Sequence, residues 1–502
     1  MKGFGDLYKE KKKKTQKTKT SNEQIIKQAI QLHLQGNITE ATKYYKQLIN
    51  QGCNNPNVFS NYGAISQGQG KLQNAEKLYR KAIKINPDFA NAYSNLGNVL
   101  RDLGKLQDAE LYTRKAIELK PDFADAHSNL GNVLKDLGKL QDAEKLYRKA
   151  IELNPDFANA YSNLGNVLRD LGKLQDAEKL YRKAIELKPD YAVAHHNLGN
   201  NLQDLGNLQE AMILSKSILK LRRINQGYKL LAALRITIIN LLSKNFAETQ
   251  HYINKIKDLL NQESINNFEN ERDKKYFFAY YRFIESLYSL LKKENKSTFS
   301  RIPHIGESHC LSFAHQNLYI SSQLNQIQPV LITGGKAWHF ANNQKNKWKD
   351  SFTQQIKNHT YSDKVFVSFG EIDCRKDEGI LQYSIKNNKN IFDVCKKTIK
   401  GYLNYMEENL SSNYSNRYYF GVPAPTRRGE ILDEFDFKRI KVIKLYNSIL
   451  KKEVLFRGAN FLDIYALTST KDGENNKLHM CDTTHLSPKC LSILFKNYFH
   501  ES

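Results

Sequence analysis

The sequence predicts two architectures in one chain: an α-helical solenoid superhelix, then a three-layer α/β domain around a parallel sheet. Three observations lead there. A 34-residue unit recurs five times between residues 56 and 225. The recurrence then stops. From about residue 297 to the end, short β-rich runs alternate with helical segments. A unit of this length, repeated without insertion, is one supersecondary element stacked on its copies. Strand alternating with helix calls for a sheet covered on both faces.

A chain of 502 residues is too long for one hydrophobic core. Four segments are expected: a disordered basic arm at 1–21, the solenoid at 22–225, a helical cap at 226–296 and the α/β domain at 297–502. The arm holds eight of the lysines, and the whole chain carries a net charge of +24. Most of that charge is lysine spread over helix faces. No zinc finger, RNA-binding aromatic motif or basic reading helix accompanies it, so nucleic acid is not an expected partner. No run approaches 18 apolar residues, which speaks against a membrane-spanning helix. The first residues lack an apolar stretch after their charges, so no secretory signal is read and the expected location is cytoplasmic. Six cysteines make no disulfide framework and fit reduced thiols. No cofactor is implied.

The solenoid unit is clearest at 158–191, ANAYSNLGNVLRDLGKLQDAEKLYRKAIELKPDY, and 124–157 differs from it at five positions. Glycine recurs at 63, 97, 131, 165 and 199, where a small residue lets two helices approach. A second glycine recurs at 36, 70, 104, 138, 172 and 206, where a left-handed backbone ends the first helix. Proline at 87, 121, 155 and 189 closes the second helix. Alanine at 109, 143, 177 and 211 supplies the contact face. This pattern resembles the tetratricopeptide repeat (TPR). Residues 22–55 and 192–225 read as degenerate terminal units. Next, 226–295 is amphipathic and helical, and its cluster FFAYYRF reads as core.

Along the first helix of each unit, Asn61, Asn95, Asn129, Asn163 and Asn197 share one position, and Asn98, Asn132, Asn166 and Asn200 follow three residues on. That spacing puts both rows on one face. Amides donate and accept, so the concave face is expected to hold a protein or an extended peptide. A comparable asparagine ladder is found in the TPR half of O-linked N-acetylglucosamine transferases. The rival reading is local: the amides cap or bridge neighbouring helices.

In the α/β part, strands are expected at SRIPHIG, QPVLITGG, KVFVSFGEID, RYYFGVPAP and ANFLDIY, with helices near 309–323, 346–358, 391–411, 437–456 and 486–499. Open α/β sheets place sites at the carboxyl ends of their strands. Polar residues fall there: Gly306-Glu307-Ser308-His309, Gly334-Gly335, Gly370-Glu371-Ile372-Asp373-Cys374-Arg375, and Asp482-Thr483-Thr484-His485 before the last helix. A serine between strand and helix suits a nucleophile, a histidine suits its base, and an aspartate three residues before that histidine suits its orienter. Ser308, His485 and Asp482 form such a set. Cys310, Cys374 and Cys481 flank these motifs beside His309 but match no zinc spacing, so no metal is expected. His304, His315, His339 and His479 read as structural.

These four blocks, in this order, resemble the SGNH/GDSL hydrolase family. The resemblance implies a flavodoxin-like SGNH fold over 297–502. It implies catalytic Ser308, Asp482 and His485, an oxyanion glycine at Gly334 or Gly335, and a third block at Gly370 and Asp373. Its third-block asparagine, an oxyanion donor, falls on Ile372, so Arg375 or Asn342 is the candidate replacement donor. The implied function is a TPR-docked ester hydrolase or acyl transferase acting on a small ester, with a glycan or its precursor as the candidate substrate. The alternative is a non-catalytic TPR adaptor with a degenerate SGNH domain.

Overall fold

The computed structural model describes residues 22–221, 224–262, 268, 270–291, 300–320, 323–375, 379–425, 434–480, 485–488, 490–491 and 493–495. The basic arm expected at 1–21 lies outside them. By compactness the chain forms two units, Met1–Val167 and Leu168–Ser502.

The first unit holds α1 (22–34), α2 (Ile38–Asn50), α3 (Pro56–Gly68), α4 (Leu72–Ile85), α5 (Ala90–Asp102), α6 (Leu106–Leu119), α7 (Ala124–Asp136), α8 (Leu140–Leu153) and most of α9 (Ala158–Asp170). Each 34-residue unit is one antiparallel pair. In α5 and α6 the buried residues include Leu96, Val99 and Leu100 facing Ala109, Thr113 and Ala116. The two glycine rows do different work. A Cβ on Gly131 would stand 2.8 Å from the ring of Tyr147, so this glycine admits the second helix. Gly138 has φ +77°, and a Cβ there would meet nothing within 4 Å. It serves the turn alone. Charged side chains join successive pairs: Glu76 to Lys105 and Glu110 to Lys139, each at 3.0 Å.

The second unit begins with α10 (Leu174–Leu187), α11 (Ala192–Asp204) and α12 (Leu208–Lys220), then α13 (Gln226–Leu242), α14 (Phe246–Gln262) and α15 (Glu271–Leu290). Every residue of α13 from Leu230 to Leu242 is buried, the mark of a helix covered all round. Its Arg235 is among them. The guanidinium donates to Asn200 Oδ1 (2.6 Å), the His196 carbonyl (3.2 Å) and Ser215 Oγ (3.1 Å), so neutral oxygens satisfy it. Gly199 leaves room for that group, since a Cβ would collide with it.

The sheet follows: β1 (Ser300–Gly306), α16 (His309–Ser312), β2 (Asn317–Ile320), β3 (Gln323–Leu331), α17 (Ala337–Ala341), α18 (Lys347–Ile356), β4 (Lys364–Ser368), a 3-10 turn at Ile372–Cys374, α19 (Ile380–Lys386), α20 (Ile391–Leu410), β5 (Asn416–Phe420), α21 (Glu434–Phe456), β6 (Asn460–Leu462) and α22 (Ile464–Thr468). Residues 490–491 and 493–495 are helical. Strand order is β2-β3-β1-β4-β5-β6. Five strands run parallel, and β2 is antiparallel to β3 at the edge. Set β2 aside and the parallel strands follow the doubly wound flavodoxin-type order, whose crevice opens where the order reverses, beside β1 and β4. Alternate residues feed opposite cores. Val365 and Val367 face the helices α17, α18, α20 and α21, while Phe366 packs with Phe420, Leu491 and Phe495.

Two expectations are corrected. The sheet is mixed, not purely parallel. The helix expected near 309–323 is a four-residue turn of helix followed by β2. His315 takes a positive φ of 58° and ends any helical run, and Asn317–Ile320 then alternates exposed and buried positions against β3.

The last solenoid helices also meet the sheet region. Leu174 N–H donates to Asp350 Oδ2 (3.3 Å) and Gln203 Nε2 to Thr333 Oγ1 (3.1 Å). Arg169 and Asp204, both mostly buried, pair at 2.7 Å.

Candidate functional site

At the carboxyl end of β1, Gly306 lies against β4 so closely that a Cβ would collide with Ser368. The chain then turns through Glu307 into α16, and Ser308 sits at the start of that turn with φ −49° and ψ −28°. Its Oγ lies 2.9 Å from His485 Nε2, across 177 residues of chain. The same hydroxyl donates to Glu307 Oε2. Glu307 Oε1 accepts from Tyr280 OH at 2.7 Å. His485 stacks on Phe283, with centroids 3.7 Å apart and planes at 17°. Ser308, Glu307 and His485 are all buried. Asp482, the expected orienter, lies outside the described residues.

Tyr280 and Phe283 come from α15, the helix whose aromatic cluster the sequence suggested was core. Phe277, Tyr280, Tyr281 and Phe283 are indeed buried. Two of them also touch the site, Tyr280 at Glu307 and Phe283 at His485. Their spacing of three puts both on one helix face, which is the only signal the sequence offered.

The other block residues have settled roles. Asp373 is fully buried and accepts from the backbone N–H groups of Ala337 (2.8 Å) and Trp338 (3.0 Å). It fastens the start of α17, and hence the loop through Gly334 and Gly335. Burial pushes its carboxyl up to about 6, against those two hydrogen bonds. Gly370 adopts φ +122°, and a Cβ there would stand 2.8 Å from Tyr446 OH. Glu371 accepts from Arg375 Nε at 2.9 Å and pairs with Arg439 at 3.4 Å. Burial opposes its ionisation, yet Arg375, His309 and Arg439 hold its carboxyl at about 2. Of the expected oxyanion donors, Arg375 is therefore engaged by Glu371. Gly335 N–H closes a turn onto the Ile332 carbonyl at 3.0 Å, and Gly334 has φ +68°. The Asn342 side-chain oxygen accepts from the Gln344 N–H at 3.1 Å.

A pocket opens beside Glu307 and His309, with Gly335, Gly370 and Glu371 in its wall. Much of the remainder is apolar, including Phe313, Phe369, Phe420, Val422 and Leu486. Cys310 and Cys374 are buried, and burial raises both thiols. Cys481 lies outside the described residues. Among the described residues no three His, Cys, Asp or Glu side chains converge to hold a metal. His315 lies 2.7 Å from the Leu241 carbonyl, and His339 stacks on Trp348. Among the described residues no helix is long and apolar enough to cross a membrane.

On the solenoid face, Asn61, Asn95, Asn129, Asn163 and Asn197 are all half-buried. Asn129 Nδ2 donates to Ser94 Oγ of the preceding unit (2.9 Å), and Asn163 Nδ2 to Asn132 Oδ1 (3.3 Å). Tyr147 OH donates to the same Asn132 oxygen at 2.8 Å. These amides stitch successive first helices, as the local reading expects.

Residues 90–123 and 128–192 match family profiles described as Tetratricopeptide repeat, and 68–104 one described as TPR repeat. The repeats are tetratricopeptide repeats. The TPR part is similar to the crystal structure of MamA protein, at 27% identity over 33% of this chain and 90% of that one, TM-score 0.29. A TPR protein from Parabacteroides merdae aligns at 17% identity over 52% and 99%, TM-score 0.40. YrrB, titled a TPR protein with an unusual peptide-binding site, aligns at 23% over 38% and 95%, TM-score 0.29. Among curated proteins none matches the chain.

Proposed function

We propose that this TPR protein is a serine-dependent ester hydrolase or acyl transferase of SGNH/GDSL type, docked to a protein or peptide partner through its repeats. The observation that carries the reading is the 2.9 Å approach of Ser308 Oγ and His485 Nε2 at the end of β1. Nucleophile and base stand within hydrogen-bond reach at the crevice where doubly wound sheets keep their sites. Ser308 Oγ attacks the acyl carbonyl as its proton passes to His485. The histidine returns that proton to the departing alcohol, and water or an acceptor hydroxyl then takes the acyl group. Asp482 is the proposed orienter of His485. The order of the four blocks supports the family assignment, and the family points to small esters, including acyl groups on a glycan or its precursor. The segments at 22–225, 226–296 and 297–502 are the proposed docking, joining and catalytic parts.

A specific observation favours the second reading, a non-catalytic adaptor. Arg375 and the Gly335 N–H are engaged inside the fold. One missing oxyanion donor costs on the order of 10²–10³ in rate.

A fluorophosphonate probe separates the two. The catalytic reading expects labelling of the full chain at Ser308, lost in Ser308→Ala and in His485→Ala, with p-nitrophenyl acetate turnover lost alongside. Labelling that survives Ser308→Ala would remove that serine as nucleophile. No labelling and no turnover would leave the adaptor.

A further inference from the structure

His304 stands on β1 two residues before Gly306 and lines the pocket that Glu307 and His309, the sequence neighbours of Ser308, also line. It has no exposed surface. Nε2 lies 2.9 Å from Ser368 Oγ on β4, while Nδ1 has no partner among the described residues. Phe420 and Phe313 lie nearly parallel to the ring, with centroids at 4.9 and 5.8 Å. Burial pushes the imidazole down to about 3, so the ring is neutral.

A neutral imidazole carries one donor and one acceptor. Ser368 satisfies either of them, according to the tautomer, and leaves the other open. A buried polar atom left unpaired is costly, and a ligand group that pairs it recovers that cost. Glu307 and Glu371 in the same pocket disfavour an anion there. Phe313, Phe369, Phe420 and Val422 suit a short apolar chain. A hydroxyl both donates and accepts, so it complements His304 in either tautomer.

We propose that this pocket is an acyl subsite selecting a short chain that carries a hydroxyl, which His304 and Ser368 read. The proposal rests on Ser308 as nucleophile for its place in the reaction, but binding alone can test it.

On the full chain, calorimetry compares 3-hydroxybutanamide with butanamide, and turnover compares the p-nitrophenyl esters of 3-hydroxybutyrate and butyrate. Ester hydrolysis consumes one water and releases p-nitrophenol and the free acid. The hydroxylated member of each pair should be favoured by at least about 10-fold, because a site built for a hydroxyl rejects the analogue lacking it. His304→Phe should bring both ratios to about one. Equal affinity of the two amides for the unaltered protein overturns the subsite, as does a preference that survives His304→Phe in a folded variant. Where His304→Phe loses its helical ellipticity, Ser368→Ala replaces it with the same expected fall in the ratio. An amide preference without turnover of either ester keeps the subsite and sinks the reaction. Ester turnover with no hydroxyl preference keeps the reaction and sinks the subsite.

Discussion

Ser308 has one hydroxyl proton and two partners within reach: Glu307, which accepts it, and His485 Nε2, whose role follows the tautomer. Tyr280 fixes the first by donating to its other oxygen, and Phe283 fixes the second by stacking. Tyr280→Phe keeps the ring and leaves a buried carboxylate oxygen without its donor. Urea denaturation should show a loss of about 1–3 kcal/mol. Phe283→Ala removes a fully buried ring from the core and the support of His485 together. Stability should fall by about 3–5 kcal/mol, and probe labelling of Ser308 should slow by at least about tenfold if His485 is its base. Unchanged labelling in a folded Phe283→Ala protein would separate His485 from the serine's reactivity. Ser308 and His485 were legible because each stands at a strand or helix boundary, where side chains are few and functional types stand out. Tyr280 and Phe283 were not. Buried aromatics at helical spacing look the same whether they face a core or a reacting group. For Asp373 the sequence offered only a place in the third block, and its hold on two backbone amides was not legible there.

At the scale of one helix pair, the two glycine rows should respond differently to a methyl group. In Gly131→Ala the added carbon meets the Tyr147 ring, so helix must separate from helix, at a cost of about 1–3 kcal/mol. In Gly138→Ala there is open space, and only the left-handed backbone resists. That change should cost about 1 kcal/mol, and Gly138→Asn less, because asparagine visits this conformation more readily. Thermal denaturation of the three variants tests the ranking. Equal losses for Gly138→Ala and Gly138→Asn would point to lost space instead of backbone conformation. The helix pairs themselves were readable from period alone. The strands were readable as runs, but β2 was not: a four-residue edge strand has too few alternations to compete with the helical reading around it.

Over the whole molecule, the division at Val167 and Leu168 is the feature least visible in the sequence. The units 124–157 and 158–191 differ at five positions, yet most of the second belongs with the sheet. Near-identical repeats cannot encode different surroundings. The difference lies in α18, whose Asp350 accepts from Leu174 N–H. A chain trimmed to begin at Ala158 should therefore melt cooperatively. One trimmed to begin at Gln226 strips α10–α12 from the buried α13 and should lose its tertiary circular dichroism. Equal behaviour of the two fragments would count against the division.

Acid should act on the second unit as well. Burial lowers His304 and His339 to about 3 and His315 to about 4, and pushes His196 well below its ordinary value. The unfolded chain protonates these rings near pH 6.5. Their contribution is complete above that pH and declines as pH falls, because the unfolded state then binds more protons. Asp373, raised to about 6, acts in the opposite sense with one proton. His309 and His359 are lowered by burial too, and Asp350 is raised as Asp373 is, so the shifted histidines outnumber the raised carboxyls and the unfolded state binds the more protons near pH 5. The melting midpoint should drop steeply between pH 7 and 5, and a flat midpoint would contradict it.

The separation of Ser308 from His485 has a consequence in time. During synthesis, 177 residues pass between the emergence of the serine and that of its histidine. At about 5–20 residues per second, that is roughly ten to thirty-five seconds. Helical repeats, held by local contacts, fold on a far shorter clock. Under the proposed function, the repeats of the nascent protein could meet a partner on the ribosome while Ser308 still lacks His485, and recognition would precede reactivity.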